Sequence, residues 1–140
     1  MEPIMEFKDD AELNKCLDYW KEKLFLRDWI IKAELKDEVT LPTGENCYGT
    51  NAFEYSTRQS TILIRRYNPD VDSKCERKYC AEQTLVHELL HCIYAYLAKS
   101  GSPSYESAYL EAHEHQQLDR LADTLIMTKY NISFDFFINK

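Results

Sequence analysis

Apolar and polar positions along the chain change period several times, and each change marks an element. Between Glu6 and Phe25 the apolar residues Leu13, Leu17, Trp20 and Leu24 recur at helical spacing. From Arg27 to Val39 the period drops to two, with Ile31, Ala33 and Leu35 on one side, which predicts a half-buried strand. Leu41-Pro42-Thr43-Gly44 is a turn signal. Cys47 to Tyr55 reads as a second strand and the β-branched run Ser60 to Tyr67 as a third, closed by Asn68-Pro69-Asp70.

Beyond that breaker the period returns to 3.6. Ser73-Lys74-Cys75-Glu76 has the form of a capping box, which predicts a helix running from there to Lys99. Gly101 and Ser102-Pro103 are placed to end it. A second long helix is expected from Ser104 to Lys129, with Leu118, Leu121, Ala122 and Leu125 as its buried stripe. The tail, Asn131 to Lys140, carries Phe134, Phe136, Phe137 and Ile138 and is expected to dock on the body. The order is a helix, a small antiparallel sheet and two helices, which is an α+β class in one domain over residues 1–140.

Composition narrows the function classes. A net charge of −7 repels phosphate backbones, so nucleic acid is not an expected partner. No run approaches the ~18 apolar residues of a membrane span, so no membrane partner is expected. Met1 to Asp10 is acidic and lacks the apolar core of a secretory signal, and the five scattered cysteines do not read as a disulfide framework. A cytoplasmic protein with reduced thiols is the expectation, and the oligomeric state is left open.

The chemistry concentrates in one stretch, His87-Glu88-Leu89-Leu90-His91. On a helix, residues four apart share a face, so the two imidazoles point to one centre. Zinc takes such nitrogens at about 2.0–2.1 Å, and a catalytic site uses three protein ligands plus water. Glu88 is turned about 100° away, where it can act as general base on that water without ligating the metal. Chance would produce the pattern in roughly one shuffled sequence per hundred, so its setting matters. That setting is uncharged: Thr84, Leu85, Val86, Leu89, Leu90, Cys92 and Ile93 surround the pair. Unpartnered imidazoles on a buried helix are costly, and a metal removes the cost.

The third ligand is open on spacing alone. A histidine six residues after His91 is ruled out, because Leu97 stands there. All four histidines fall between positions 87 and 115, two on each predicted helix. His115 lies in line with the stripe of the second helix and Asp119 stands one turn on, placed to back it as a hydrogen-bond partner. Glu111 and Glu114 are the competing carboxylate ligands, and His113 is rotated away toward solvent. Tyr94, Tyr105 and Tyr109 border the expected cleft and are candidates to stabilise an oxyanion.

Taken together, the chain resembles the small zincin metallopeptidases, in particular the compact gluzincin-like ones common in phage and bacterial genomes. The resemblance rests on Leu26-Arg27-Asp28-Trp29-Ile30-Ile31, on Thr84-Leu85-Val86 leading into the His-Glu-Leu-Leu-His motif, and on His115-Gln116-Gln117-Leu118-Asp119-Arg120-Leu121-Ala122. It spans roughly residues 10–128. The resemblance implies a minimal zincin fold, with a twisted, mostly antiparallel sheet packed on the active-site helix and a cleft between an edge strand and that helix. It implies zinc as cofactor, with His87 and His91 as ligands, Glu88 as catalytic base and a peptide or protein as substrate. Those relatives usually carry Glu as third ligand where this chain has His115, so either the ligand is an imidazole here or Glu111 or Glu114 supplies it. The expected function is a zinc-dependent peptidase. The alternatives are a non-catalytic zincin-fold regulator, or an amide or ester hydrolase on a non-peptide substrate.

Overall fold

A computed structural model describes residues 1–95 and 105–139, with the side chains of 105–112 outside the description. The first helix, α1 (Asp10–Lys23), starts where Asp9 accepts a hydrogen bond from the Glu12 amide, and acidic residues lead its first turn while Lys21 and Lys23 close its last. Its buried face is Leu13, Cys16, Leu17 and Trp20. Three strands follow: β1 (Ile30–Lys36), β2 (Gly49–Glu54) and β3 (Gln59–Arg65). The predicted turn between the first two is present, with the Gly44 amide bonded to the Leu41 carbonyl at 2.8 Å and Gly44 at φ +92, a conformation that favours glycine.

The sheet order is β1-β3-β2, with β1 parallel and β2 antiparallel to β3. The antiparallel sheet expected from the sequence is therefore a mixed one. The physical reason lies in the strands themselves. β3 carries Ile62, Leu63 and Ile64 and gains most from two neighbours, whereas β1 and β2 carry Lys32, Glu34, Lys36 and Glu54, which suit edges. Inserting β3 between them makes it run parallel to β1. The outer edge of β1 is held by α1: Asp10 accepts from the Leu35 amide at 2.9 Å, and Asn14 donates to the Ala33 carbonyl at 3.2 Å. Ala33 and Leu35 from β1, and Ser60, Ile62 and Ile64 from β3, are buried on one face of the sheet, with Gly49, Asn51 and Phe53 of β2 in register beside them.

The helix start read at Ser73 is also corrected. Ser73 caps the C-terminus of a short helix, α2 (Pro69–Asp72), and Glu76 to Lys78 pair with the chain's tail. The motif helix, α3 (Ala81–Ile93), begins later, and Cys80 at its N-cap supplies no side-chain bond. Backbone carbonyls from the N-terminal segment take that place: the Ala81 amide bonds Met5 and the Glu82 amide bonds Ile4, each at 3.0 Å. α3 closes at Tyr94, which packs on the core. Its expected continuation over 96–99 and its stop at Gly101 lie outside the described residues.

The last long helix, α4 (Tyr105–Tyr130), packs along α3. Its buried line is Leu118, Ala122 and Ile126; Leu125 is half-buried and Leu121 is 39% exposed, so the predicted stripe is rotated by one position at its lower end. A 3-10 turn, Phe134–Phe137, buries Phe137 completely, which docks the tail as expected. The broad class is α+β, with four α-helices described and a three-stranded mixed sheet. No helix among the described residues is long and apolar enough to cross a membrane. All five cysteines are free thiols.

Candidate metal centre

α3 enters the core with Leu85, Val86, Leu89 and Leu90 buried, which leaves His87 and His91 half-buried on the side facing α4. Their rings stand 5.1 Å apart edge to face, as four-residue helical spacing requires. From α4, His115 brings its ring to 5.6 Å from His87 and 4.8 Å from His91. One ligand nitrogen from each of these three residues lies within 4.8 Å of the others, a group that could hold a metal ion. His115 itself is exposed rather than buried in line with the stripe, so it closes the site from the solvent side.

The surrounding carboxylates take parts that spacing did not assign. Asp119 was expected to back His115 on its own helix; it instead meets Nδ1 of His87 across the interface at 2.8 Å. Burial would lower the His87 pKa, but this bond and the nearby Glu88 charge outweigh it, and the net direction is upward. Asp119 is held below its ordinary range, the His87 bond prevailing over burial. With Nδ1 engaged, Nε2 of His87 is the nitrogen left to face the centre. Glu114 stands 3.8 Å from Nδ1 of His91, beside that ring. Glu111 lies outside the residues whose side chains are described, as do Tyr105 and Tyr109. His113 is exposed, in line with its expected rotation toward solvent.

Glu88 is 6% exposed, and burial pushes its carboxyl up to about 7. Its Oε1 is 4.0 Å from Nε2 of His91, too far for a hydrogen bond. His91 moves the opposite way, down to about 3, through burial and the neighbouring His87 and His115. Both shifts have the same leading cause, since burial disfavours the charged form of either sign, and like charge from His87 and His115 adds to it only at His91.

The donor chemistry suits a divalent ion of borderline softness. Metal binding requires imidazoles in their neutral form, which burial already favours at His91. Tetrahedral nitrogens around one zinc stand about 3.4 Å apart, so side-chain rotations of about 1 Å bring the three together. The residues present therefore fit such an ion.

Two residues at the site carried no sequence signal. Asn51 on β2 donates from Nδ2 to the backbone carbonyl of Glu88 at 2.6 Å. Gly49, two positions earlier, sits so close to α3 that a Cβ there would stand 2.9 Å from Cγ2 of Thr84 and 3.3 Å from Cγ of Glu88. Neither residue type is unusual in a strand, and the contacts depend on how β2 lies against α3. No protein-family model, no curated protein and no solved structure matches the chain.

Proposed function

We propose that this chain is a zinc-dependent hydrolase that cleaves peptide bonds. The observation that carries the reading is the convergence of His87, His91 and His115 from two helices beside the buried carboxylate of Glu88. Bound zinc would polarise a carbonyl and lower the pKa of water toward about 7. Three imidazoles are neutral ligands, so they would leave the full +2 charge at the centre, where a carboxylate ligand would reduce it. Glu88 takes the proton of the attacking water on a carboxylate oxygen and passes it to the departing nitrogen. Its pKa of about 7 suits both directions of transfer near neutral pH. Asp119 orients His87 by holding its Nδ1.

The sheet supports a peptide as substrate. β2 is the edge strand that packs against α3, and an extended peptide can add to such an edge through backbone hydrogen bonds. The opposite edge, β1, is already engaged by Asp10 and Asn14. An edge strand beside a His-Glu-Leu-Leu-His helix also agrees with the resemblance to small zincins.

The test is elemental and enzymatic. Native mass spectrometry should find about one zinc per chain, lost in the His87→Ala/His91→Ala double variant, and the zinc-loaded chain should cleave unfolded casein. Stoichiometric zinc persisting in the double variant would remove the motif from the site. Zinc binding without hydrolysis of casein would point to a regulatory protein, and hydrolysis of small amides or esters alone to a non-peptide substrate.

A further inference from the structure

Of the β2 side chains on the face toward α3, Asn51 is the one that carries an amide. Asn51 shares its face with Gly49 and Phe53, and its register partner on β3 is the fully buried Ile62. The amide is committed on both ends. Ser60 donates from Oγ to Oδ1 of Asn51 at 2.5 Å, so the amide nitrogen must point the other way. That nitrogen donates to the Glu88 carbonyl at 2.6 Å and lies 3.3 Å from Sγ of Cys92. Asn51 thus grips the helical turn from Glu88 to Cys92, the turn that contains His91.

Gly49 sets the distance of that grip. A Cβ at position 49 would meet Thr84 Cγ2, and Leu63 O at 3.0 Å, before it met Glu88. Thr84 and Glu88 belong to α3 and Leu63 O to the neighbouring strand β3, so a larger residue at position 49 would be caught between the two, and relief at Thr84 and Glu88 would move β2 off the helix. A glycine and a doubly anchored amide, two residues apart, therefore hold strand and helix at one spacing beside one residue. A residue serving only to fill this contact needs no polar group, whereas the half-buried Asn51 has both ends of its amide engaged.

We propose that Asn51, oriented by Ser60 and seated by Gly49, is a positioning residue for Glu88. It fixes the helical turn so that the Glu88 carboxylate keeps its place beside His87 and His91. The inference rests on the hydrolase reading above, and it adds a residue from the sheet to a site otherwise made by two helices. His87 and His91 each meet a carboxylate of α4, Asp119 at 2.8 Å from Nδ1 of His87 and Glu114 at 3.8 Å from Nδ1 of His91, so loss of the Asn51 amide is expected to spare the metal and misplace the base.

A double-substitution cycle on the zinc-loaded full chain tests this, read by zinc content, thermal midpoint, casein kinetics and affinity for acetohydroxamate. That small oxygen chelator gives up its hydroxyl proton to a neighbouring base on binding, so its affinity reports on the placement of Glu88 without turnover. Asn51→Ala is expected to lower kcat and acetohydroxamate affinity by about 10- to 100-fold, with KM and zinc content unchanged. In a Glu88→Gln background the same substitution should cause no further loss of either. Ser60→Ala should give a smaller version of the same pattern, because the amide loses its orienting donor. Equal losses in both backgrounds, or loss of zinc in Asn51→Ala, would overturn the proposal and make Asn51 a packing residue. Should Asn51→Ala fail to fold, Ser60→Ala carries the same cycle, since it keeps the amide and removes only its orienting donor. A chain that binds zinc and acetohydroxamate but leaves casein intact fails the peptidase reading alone, and the acetohydroxamate cycle still decides the role of Asn51. A chain that binds no zinc overturns both.

Discussion

Glu82 and Glu88 lie on the same helix, both almost without solvent exposure, yet their pKa values move in opposite directions. Glu82 accepts from the Ile4 amide at 2.9 Å, the Trp20 indole at 2.8 Å, the Lys129 ammonium at 2.8 Å and the Tyr130 hydroxyl at 2.6 Å. Burial raises its pKa, but these donors prevail and hold it below the ordinary range. Glu88 is desolvated too, has no hydrogen-bond donor on its carboxylate among the described residues, and is pushed up to about 7. Burial by itself does not decide the charge of a carboxylate; the donors that accompany it do. Glu82 has its capacity filled and ties the N-terminal segment, α1, α3 and the end of α4 together. Glu88 retains capacity to gain and release a proton, which is the property the proposed chemistry uses.

The contrast can be broken most sharply at Glu88. Glu88→Gln keeps the shape of the side chain and removes the base. Turnover of casein by the zinc-loaded chain should fall by about 10²- to 10⁴-fold, with zinc content and thermal midpoint little changed. A variant with full activity would end the assignment of Glu88 as base.

The equivalent change at Glu82 should act on stability and leave the chemistry alone. Glu82→Gln cannot serve all four donors and leaves Lys129 without its buried counter-charge. A loss of about 3 kcal/mol or more in urea unfolding is expected, with zinc affinity per folded molecule unchanged. An unaffected midpoint would show that the network is not an anchor.

Asp119 sharpens the comparison from the metal side, since its pKa, like that of Glu82, is held down by a hydrogen-bond partner, here His87. Asp119→Asn should weaken zinc binding by about 10- to 100-fold in a competitive chelator titration. A larger effect in His115 ring geometry than in His87, seen by nuclear magnetic resonance, would return Asp119 to the partner that sequence spacing suggested.

The smallest effect expected is on pH dependence. A carboxylate whose folded pKa is depressed contributes stability above its unfolded pKa and loses it as pH falls through the folded value. Glu82 is such a group, so urea stability should decline below about pH 4.3, and the decline should be shallower in Glu82→Gln. Identical acid profiles for the two chains would place the acid sensitivity elsewhere.

Most of the elements were legible in the chain because each depends on a local period. The strand at Ile30–Lys36 and the helix at Asp10–Lys23 fall inside the spans that alternation and 3.6-residue spacing predict. The true start of the motif helix is not legible at Ser73, because a capping box is only one way to satisfy the first amides of a helix, and here Ile4 and Met5 satisfy them from far away in sequence. The mixed sheet is not legible in the sequence, because alternation says which face of a strand is buried and nothing about which strand becomes its neighbour.

The same division runs through the candidate site. His87, Glu88 and His91 are set by the sequence alone, since a helix places residues four apart on one face and turns the one between them aside. His115 is the third ligand that spacing favours over Glu111 and Glu114, and only the packing of α4 on α3 brings its ring to the other two. That packing also decided that Asp119 serves His87, that Asn51 reaches the Glu88 carbonyl, and that Glu82 is saturated while Glu88 is not. Positions within one turn are related by backbone geometry that every helix shares. Positions on different elements are related only by the way side chains of particular volume fill the space between them, and that is a property of the folded chain as a whole.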